Sequence, residues 1–288
     1  MTEIDPNAPL LQVRNLNVLF RTRDGVAHAV NGVDFDLAAG ETLAILGESG
    51  SGKSVSAQAM MGILPMPPAE ITSGTIKFRG QDLLKMPEKV RRTYRAQKIS
   101  MVFQDALSAL NPVYTVGSQI SELFTVHRGM SKRDAKKKSI ELMDRVRIPG
   151  AAARVTDYPH QFSGGMRQRI MIAMAIALEP DIIIADEPTT ALDVTVQAQI
   201  MELLAEMRRE TGSGLILITH DLGVVAEVAD RISVMYAGRV VEHGTAAEVF
   251  FAHPAHPYTR GLLDSMPKLI GADERLYAIP GLPPSLTN

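Results

Sequence analysis

Eight consecutive residues, Gly47-Glu48-Ser49-Gly50-Ser51-Gly52-Lys53-Ser54, follow the pattern G-x-x-x-x-G-K-[ST]. A glycine-rich turn of this kind lets successive backbone N–H groups wrap an anion at a helix start, where orphan donors and the helix dipole favour negative charge. The string carries meaning only between a strand and a helix. Here Thr42-Leu-Ala-Ile-Leu46 is an apolar run of strand length, and Ser54 onward, with Val55, Ala57, Ala59, Met60 and Met61, reads as a helix. In that setting Lys53 is expected to reach the β- and γ-phosphates of a nucleoside triphosphate, and the Ser54 hydroxyl to ligate Mg²⁺. A glycine-rich turn that binds nothing leaves the Lys-Ser pair unexplained.

Two further strand ends carry groups that could turn binding into hydrolysis. Asp181-Ile-Ile-Ile-Ala-Asp186-Glu187 reads as a buried strand ending in two carboxylates, and open α/β sheets bind ligands beyond the carboxyl ends of their strands. Asp186 is the expected Mg²⁺ partner, directly or through water, and Glu187 is placed to polarise an attacking water as general base. Alone, such a pair is as readily an ordinary acidic strand end; the phosphate loop decides between the readings. His220 follows the strand-like run Leu215–Thr219 and is expected to orient the γ-phosphate or the water. His28, His127, His160, His243, His253 and His256 lack such a setting and read as surface or packing residues, and no ligand spacing suggests zinc.

A second anion site is Phe162-Ser163-Gly164-Gly165-Met166-Arg167-Gln168, where Ser163 is a good N-cap and two glycines let the backbone approach a phosphate. On its own, a simple glycine-rich helix start is the better reading. One nucleotide cannot easily occupy two separate helix N-termini of one fold; a dimer, with each Ser163 loop against the nucleotide of the opposite subunit, removes the difficulty. The helix beyond, Met171–Leu178, is apolar all round and reads as core.

The elements that must position these groups follow from the apolar pattern. Leu10–Phe20 and Val26–Leu37 read as an antiparallel hairpin turning at Arg23-Asp24-Gly25. Pro65–Pro68 is expected to break the first helix, with short strands at Gly74–Phe78 and Ile99–Phe103. Asn111 to about Arg147 reads as helical, with Ser131 and Asp134 as a capping pair, Gly150 as a stop and Lys132–Lys138 as a solvated face. Helices from Ser163 to Leu178, Val194 to Arg209 and Leu222 to Ala229 alternate with strands at Asp181–Ala185 and Leu215–Thr219. A closing hairpin, Arg231–Tyr236 with Arg239–Glu242, turns at Ala237-Gly238, and a short helix follows Ala246. Such alternation implies a largely parallel sheet covered on both faces.

Composition narrows the rest. The 288 residues are 45% hydrophobic, enough for one large α/β domain or a core with a subdomain. A net charge of −2 offers no nucleic-acid footprint. The absence of cysteine excludes disulfides and thiolate metal sites and suits a reducing cytosol. The N-terminus lacks the pattern of a signal peptide, and no apolar run approaches the ~18 residues of a membrane span. Any membrane role is expected through a partner.

The phosphate loop, Gln104, Ser163-Gly164-Gly165, Asp186-Glu187, Ala191-Leu192-Asp193 and His220 stand in the order of ATP-binding-cassette (ABC) ATPases, and the resemblance runs from about Leu10 to Gly244. It implies an α/β fold: an ABC-type P-loop NTPase core, with a RecA-like mixed sheet and an antiparallel β subdomain, plus an α-helical subdomain. By that resemblance residues 8–245 form the nucleotide-binding domain, with the helical subdomain about 105–165. ATP and Mg²⁺ are the implied ligands. Gln104 is implied to sense Mg²⁺ and γ-phosphate at the joint with the helical subdomain, Asp193 to link the two sites of the dimer, and Phe20 to stack on adenine. Phe162–Gln168 is implied to be the signature loop, departing from Leu-Ser-Gly-Gly-Gln at Phe162 and Met166 while keeping Ser163, Gly164 and Gly165.

A finer resemblance, to ATPase subunits of bacterial dipeptide/oligopeptide importers, rests on Val102–Pro112, Tyr158–Arg169, His253–Leu263 and Ile279–Leu286. It implies that residues 246–288 are the C-terminal extension of that group. The extension often continues into a cysteine-containing tail that can carry an iron–sulfur cluster; this sequence reaches Asn288 without cysteine, so no cluster is expected in it. The implied partners are two transmembrane permease subunits, a second ABC ATPase (a paralogue or another copy) and an extracytoplasmic substrate-binding protein, with the motor at the cytoplasmic face of the inner membrane. Nickel and glutathione importers have closely similar motors, so cargo stays open. A soluble cassette ATPase of DNA repair or translation is disfavoured, because no sustained heptad lies between Gln104 and Ser163 and only one phosphate loop is present. A helicase or kinase leaves the signature loop unexplained, and a non-enzymatic regulatory subunit leaves the filled catalytic positions unexplained.

Overall fold

In a computed structural model describing residues 9–23, 25–190, 192–251, 254–265, 279, 281 and 284–287, the expected hairpin opens the chain. Strands β1 (Leu11–Thr22) and β2 (Gly25–Leu37) are antiparallel, with Leu11 opposite Leu37 and Thr22 opposite Gly25. β1 buries Leu11 and Val13, then Leu16 and Val18. The extra residue between Val13 and Leu16 falls where the register shifts and Asn15 turns left-handed at φ 46°, so Leu16 returns to the buried face. β3 (Thr42–Leu46) is buried at every position and feeds α1 (Lys53–Met61). Gly62, at φ 63°, ends α1 by returning its N–H to Ala59 and Gln58, before Pro65–Pro68 can act. β4 (Ala69–Phe78) therefore starts earlier than Gly74 and pairs along β1; β5 (Gln81–Asp82) completes the order β2-β1-β4-β5.

The chain divides into two units, one of Met1–Met86 with Ile216–Asn288 and one of Pro87–Leu215. The second unit contains α2 (Glu88–Tyr94), β6 (Ile99–Val102), α3 (Ala106–Ala109), α4 (Val116–Arg128), α5 (Lys132–Arg145), α6 (Ala151–Arg154), α7 (Gly164–Ile176), β7 (Ile182–Asp186) and α8 (Val194–Thr211). The helical stretch expected from Asn111 to Arg147 is two helices, because Gly129 closes α4 in the left-handed region at φ 63°. Ser131 then caps α5 by accepting from the Asp134 N–H at 3.2 Å, while its hydroxyl donates to the Asp134 carboxylate at 2.6 Å. Gly150 is not the stop of this helix. α5 has ended at Arg145, and Gly150 (φ 66°) is the N-cap of α6. Lys132, Lys136, Lys137 and Lys138 are exposed, whereas Ala135, Ser139, Leu142 and Met143 face inward, so the basic run is a solvated face. α7 buries Ile170–Ala173, Ala175 and Ile176 as core. β6 and β7 run parallel, Ile99 opposite Ile182 and Val102 opposite Ala185.

The chain returns to the first unit within β8 (Gly214–Thr219) and continues through α9 (Leu222–Val228), β9 (Arg231–Tyr236), β10 (Arg239–Thr245), α10 (Ala246–Phe251) and α11 (Pro257–Asp264). There the strand order is β10-β9-β3-β8, with β3 parallel to β9. The closing hairpin turns as expected at Ala237-Gly238, both left-handed, as a tight two-residue connection requires. Ala44, Leu46, Val225, Ile232, Val234, Val249 and Tyr258 form one buried cluster, which draws α10 and α11 onto this sheet. Short helices α2, α3, α6 and α11 have no counterpart in the sequence reading. Asp24, Ala191, His253, and Pro280, Leu282 and Pro283 of the tail motif lie outside the described residues. Among the described residues no helix is long and apolar enough to cross a membrane.

Candidate nucleotide-binding and hydrolysis site

The phosphate loop is shaped by how closely its backbone approaches its neighbours. Gly47 has φ 148° and Gly52 φ 100°, conformations that residues with a side chain rarely adopt. A Cβ added at Gly47 would lie 2.2 Å from the Met235 carbonyl oxygen on β9, and one at Gly52 2.3 Å from that of Ala29 on β2. The loop is pinned from outside by the Gly238 N–H, which donates to the Ser51 carbonyl at 3.1 Å. Lys53 is 4% exposed, and its Nζ donates to the carbonyls of Gly47 (2.7 Å) and Glu48 (2.8 Å). No side chain caps α1 at Gly52, and the buried Ser51 hydroxyl has no hydrogen-bond partner. An uncapped helix start, an orphaned buried hydroxyl and an inward-held ammonium together fit a phosphate chain.

Other expected residues of the first unit take simpler positions. Phe20 is half-buried near the end of β1, opposite Ala27 on β2 and Ala69 on β4. His220 follows β8 directly and is exposed. Its neighbour Asp221 is the N-cap of α9, accepting from the Gly223 and Val224 N–H groups at 2.9 and 3.2 Å. Sequence reasoning missed Tyr258, whose hydroxyl accepts from the Glu48 N–H at 2.9 Å. Burial pushes that phenol up to about 12 and keeps it neutral.

In the second unit, Asp186 closes β7 and is 4% exposed. Glu187 then turns left-handed at φ 44° immediately before Pro188. A residue preceding proline favours extended backbone, so this conformation costs about 1–3 kcal/mol and aims the Glu187 side chain out of the strand direction. Two side chains meet its Oε2: Gln104 Nε2 donates at 2.8 Å and Thr190 Oγ1 at 2.9 Å. The structure thus brings together Gln104 and Glu187, which the sequence reading named separately, and adds Thr190 to them. Asp105, next to Gln104, caps α3 by accepting from the Leu107 N–H at 2.8 Å, which holds its carboxyl below the usual range.

The second anion loop lies on the same unit. Ser163 is the N-cap of α7, accepting from the Met166 N–H at 3.4 Å, and its side chain is exposed. Gly164 is also exposed, whereas a Cβ on Gly165 would lie 2.7 Å from Val196 Cγ1 in α8. Asp193 caps α8, accepting from the Val196 N–H at 2.9 Å. The departures at Phe162 and Met166 share one neighbour that sequence reasoning missed. The Arg154 guanidinium lies 4.1 Å from the Phe162 ring centroid, and its Nη1 donates to Met166 Sδ at 3.4 Å. Phe162, 2% exposed, therefore anchors the loop from below and leaves the Ser163-Gly164 edge to solvent.

Comparison with known proteins identifies the family. The family described as ABC transporter matches residues 30–190, and the C-terminal region of oligopeptide/dipeptide transporters matches residues 241–288. The oligopeptide transport ATP-binding protein OppD of Bacillus subtilis (strain 168) is 54% identical over 97% of this chain and 78% of its own length. The dipeptide transport ATP-binding protein DppD of the same strain is 54% identical over 96% of this chain and 82% of its own. Among solved structures, a dimeric post-hydrolysis state of the ATP-binding cassette MJ0796 bound to ADP and Pi has a TM-score of 0.74 at 27% identity, covering 82% of this chain and 98% of that one. CbiO1 from Clostridium perfringens, part of the transporter complex cbiONQ, reaches 0.69 at 32% identity, covering 84% and 90%. The chain belongs to the ABC transporter family, as an α/β ATPase subunit that carries the C-terminal region of the oligopeptide/dipeptide transporters.

Proposed function

We propose that this ATPase is the cytosolic motor of a bacterial importer for dipeptides or oligopeptides. The observation that carries the cargo is the match of residues 241–288 to the C-terminal region of peptide transporters. The oligopeptide and dipeptide transport proteins above support it, and none of them favours nickel or glutathione. Its partners are two permease subunits in the membrane, a second ATPase and an external binding protein, and its place is the cytoplasmic face of the inner membrane. Residues 8–245 act as the nucleotide-binding domain, with the helical part near 105–165, and 246–288 as the extension.

Within that reading the roles follow from the chemistry of each group. Gly47–Ser54 cradle the phosphates of ATP, with the Lys53 ammonium against the β- and γ-phosphates and Phe20 stacked on adenine. Ser54, Gln104 and Asp186 offer only oxygen donors, a set that suits Mg²⁺. Bound there, Mg²⁺ would neutralise charge on the phosphates. Glu187 accepts a proton from the attacking water, with Gln104 and Thr190 holding its carboxylate in place, and His220 orients the γ-phosphate. Ser163, Gly164 and Gly165 bind the nucleotide of the opposite subunit, and Asp193 joins the two sites. ATP adds contacts only in the closed dimer, so it shifts the population toward closure and hydrolysis releases it.

The test is ATP turnover by the chain assembled with its permeases, partner ATPase and binding protein, with dipeptides, longer peptides, nickel complexes or glutathione added. Stimulation by one peptide class is expected and sets the cargo length. Stimulation by nickel or glutathione alone would keep the motor and overturn the cargo.

A further inference from the structure

The C-terminal extension reaches the phosphate loop through one side chain. Tyr258, 6% exposed, projects from α11 into the cluster formed by Leu46, Ile232 and Val234, and its ring lies 4.5 Å from that of Tyr236. Its position is set locally: His256 Nδ1 caps α11 by accepting from the Tyr258 N–H at 3.2 Å, and Glu242 Oε1 on β10 accepts from the Ala255 N–H at 2.7 Å. The extension touches the same region again near its end, where the His28 N–H donates to the Leu286 carbonyl at 2.9 Å. Ser49, Gly50, Ala237, Tyr258, Pro284 and Leu286 line a cavity of about 240 Å³ on this side of the loop.

The peptide unit between Gly47 and Glu48 is bonded on both sides. Its N–H donates to the Tyr258 hydroxyl at 2.9 Å, and its carbonyl accepts from Lys53 Nζ at 2.7 Å. We propose that Tyr258 is a positioning residue for nucleotide binding: its hydroxyl fixes the Gly47–Glu48 peptide, and that peptide fixes the ammonium that meets the phosphates. The peptide needs fixing because it follows Gly47, whose φ of 148° and missing side chain leave it a low barrier to reorientation. A flipped peptide would aim its N–H at Lys53, repelling the charge it now holds. Bonds at both ends of one amide also polarise one another, which strengthens each. The extension is thereby a wall of the nucleotide site.

The inference rests on the ATP-site reading, so the experiment carries a control for each. MgATP and MgADP affinities are measured by fluorescent-nucleotide displacement on the full chain, for wild type, Tyr258→Phe, Tyr258→Leu and Lys53→Ala. Tyr258→Phe keeps the buried ring and should weaken both nucleotides about tenfold, the equivalent of ~1.4 kcal/mol. In the assembled transporter it should raise KM for ATP by a similar factor and leave kcat within about twofold. Unfolding midpoints separate this from packing: Tyr258→Phe, which loses one hydrogen bond, should melt within about 4 °C of wild type, whereas Tyr258→Leu, which also loses the buried ring, should melt lower still. Wild-type affinity in Tyr258→Phe, with any loss confined to Tyr258→Leu, would overturn the proposal. Lys53→Ala binding as tightly as wild type would instead overturn the site reading beneath it.

Discussion

The phosphate loop and the Gln104–Glu187 cluster are built from opposite materials. The loop is main chain: glycines at left-handed angles, backbone carbonyls around a buried ammonium, and close approaches to Met235 and Ala29 that no side chain could survive. The cluster is side chain: an exposed glutamine and a threonine share one oxygen of a glutamate held at an unfavourable backbone angle. A loop fixed by packed backbone, with the Tyr258 hydroxyl holding one of its peptides, keeps its shape before the ligand arrives. One fixed by exposed hydrogen bonds, each worth about 1 kcal/mol net, can be exchanged for contacts with water or phosphate as the reaction proceeds. On the proposed function, the first is the part that binds and the second the part that turns over.

The largest test of that division is Glu187→Gln. The amide oxygen still accepts from Gln104 and Thr190, so the cluster survives while the base is lost. Turnover in the assembled transporter should fall about a thousandfold, with ATP affinity unchanged within about twofold. Appreciable retained hydrolysis would remove Glu187 from the base role.

Gly52→Ala probes the other side. The new methyl would meet the Ala29 carbonyl at 2.3 Å and the backbone would keep a φ of 100°, so the loop must move. MgATP affinity should fall about a hundredfold, which is ~2.7 kcal/mol. An affinity near wild type would show that the loop tolerates rearrangement and that the contrast with the cluster is weaker than drawn. Smaller again, Gln104→Ala should lower turnover about tenfold, one hydrogen bond to a charged group, and leave Kd for ATP in place. A change confined to Kd would move Gln104 to the binding side of the comparison.

The backbone half was also the more legible in sequence. A phosphate loop is a continuous string whose glycines and lysine are close in the chain, and buried strands such as β3 and β7 announce themselves by composition alone. What stayed hidden needed either distance or φ. Tyr258 meets Glu48 across most of the chain, and nothing in the residues near either names the other. Glu187 is left-handed before Pro188, against local preference, and only the finished turn with Thr190 explains why it is held there. Boundaries failed where glycine had two uses: Gly62 ended a helix ahead of the prolines expected to break it, and Gly150 began one rather than ending one. Phe162 read as a departure from a pattern, and only the Arg154 guanidinium over its ring turns it into an anchor.

Asp193 gives the smallest effect and the sharpest question, because two roles compete for it. Its carboxylate caps α8 through the Val196 N–H, which by itself accounts for an aspartate there. Losing a cap costs about 1 kcal/mol, and in a chain of this size that lowers the unfolding midpoint by about 2–4 °C. Asp193→Ala should show that loss, and Asp193→Asn should not, since asparagine caps as well as aspartate. If the charge also joins the two sites of a dimer, turnover should fall about equally in both variants although only one is destabilised. Turnover that instead follows stability, intact in Asp193→Asn and reduced in Asp193→Ala, would leave the residue a helix cap and nothing more. That result would place it with the scaffold of the molecule and withdraw it from the exposed groups proposed to carry the reaction.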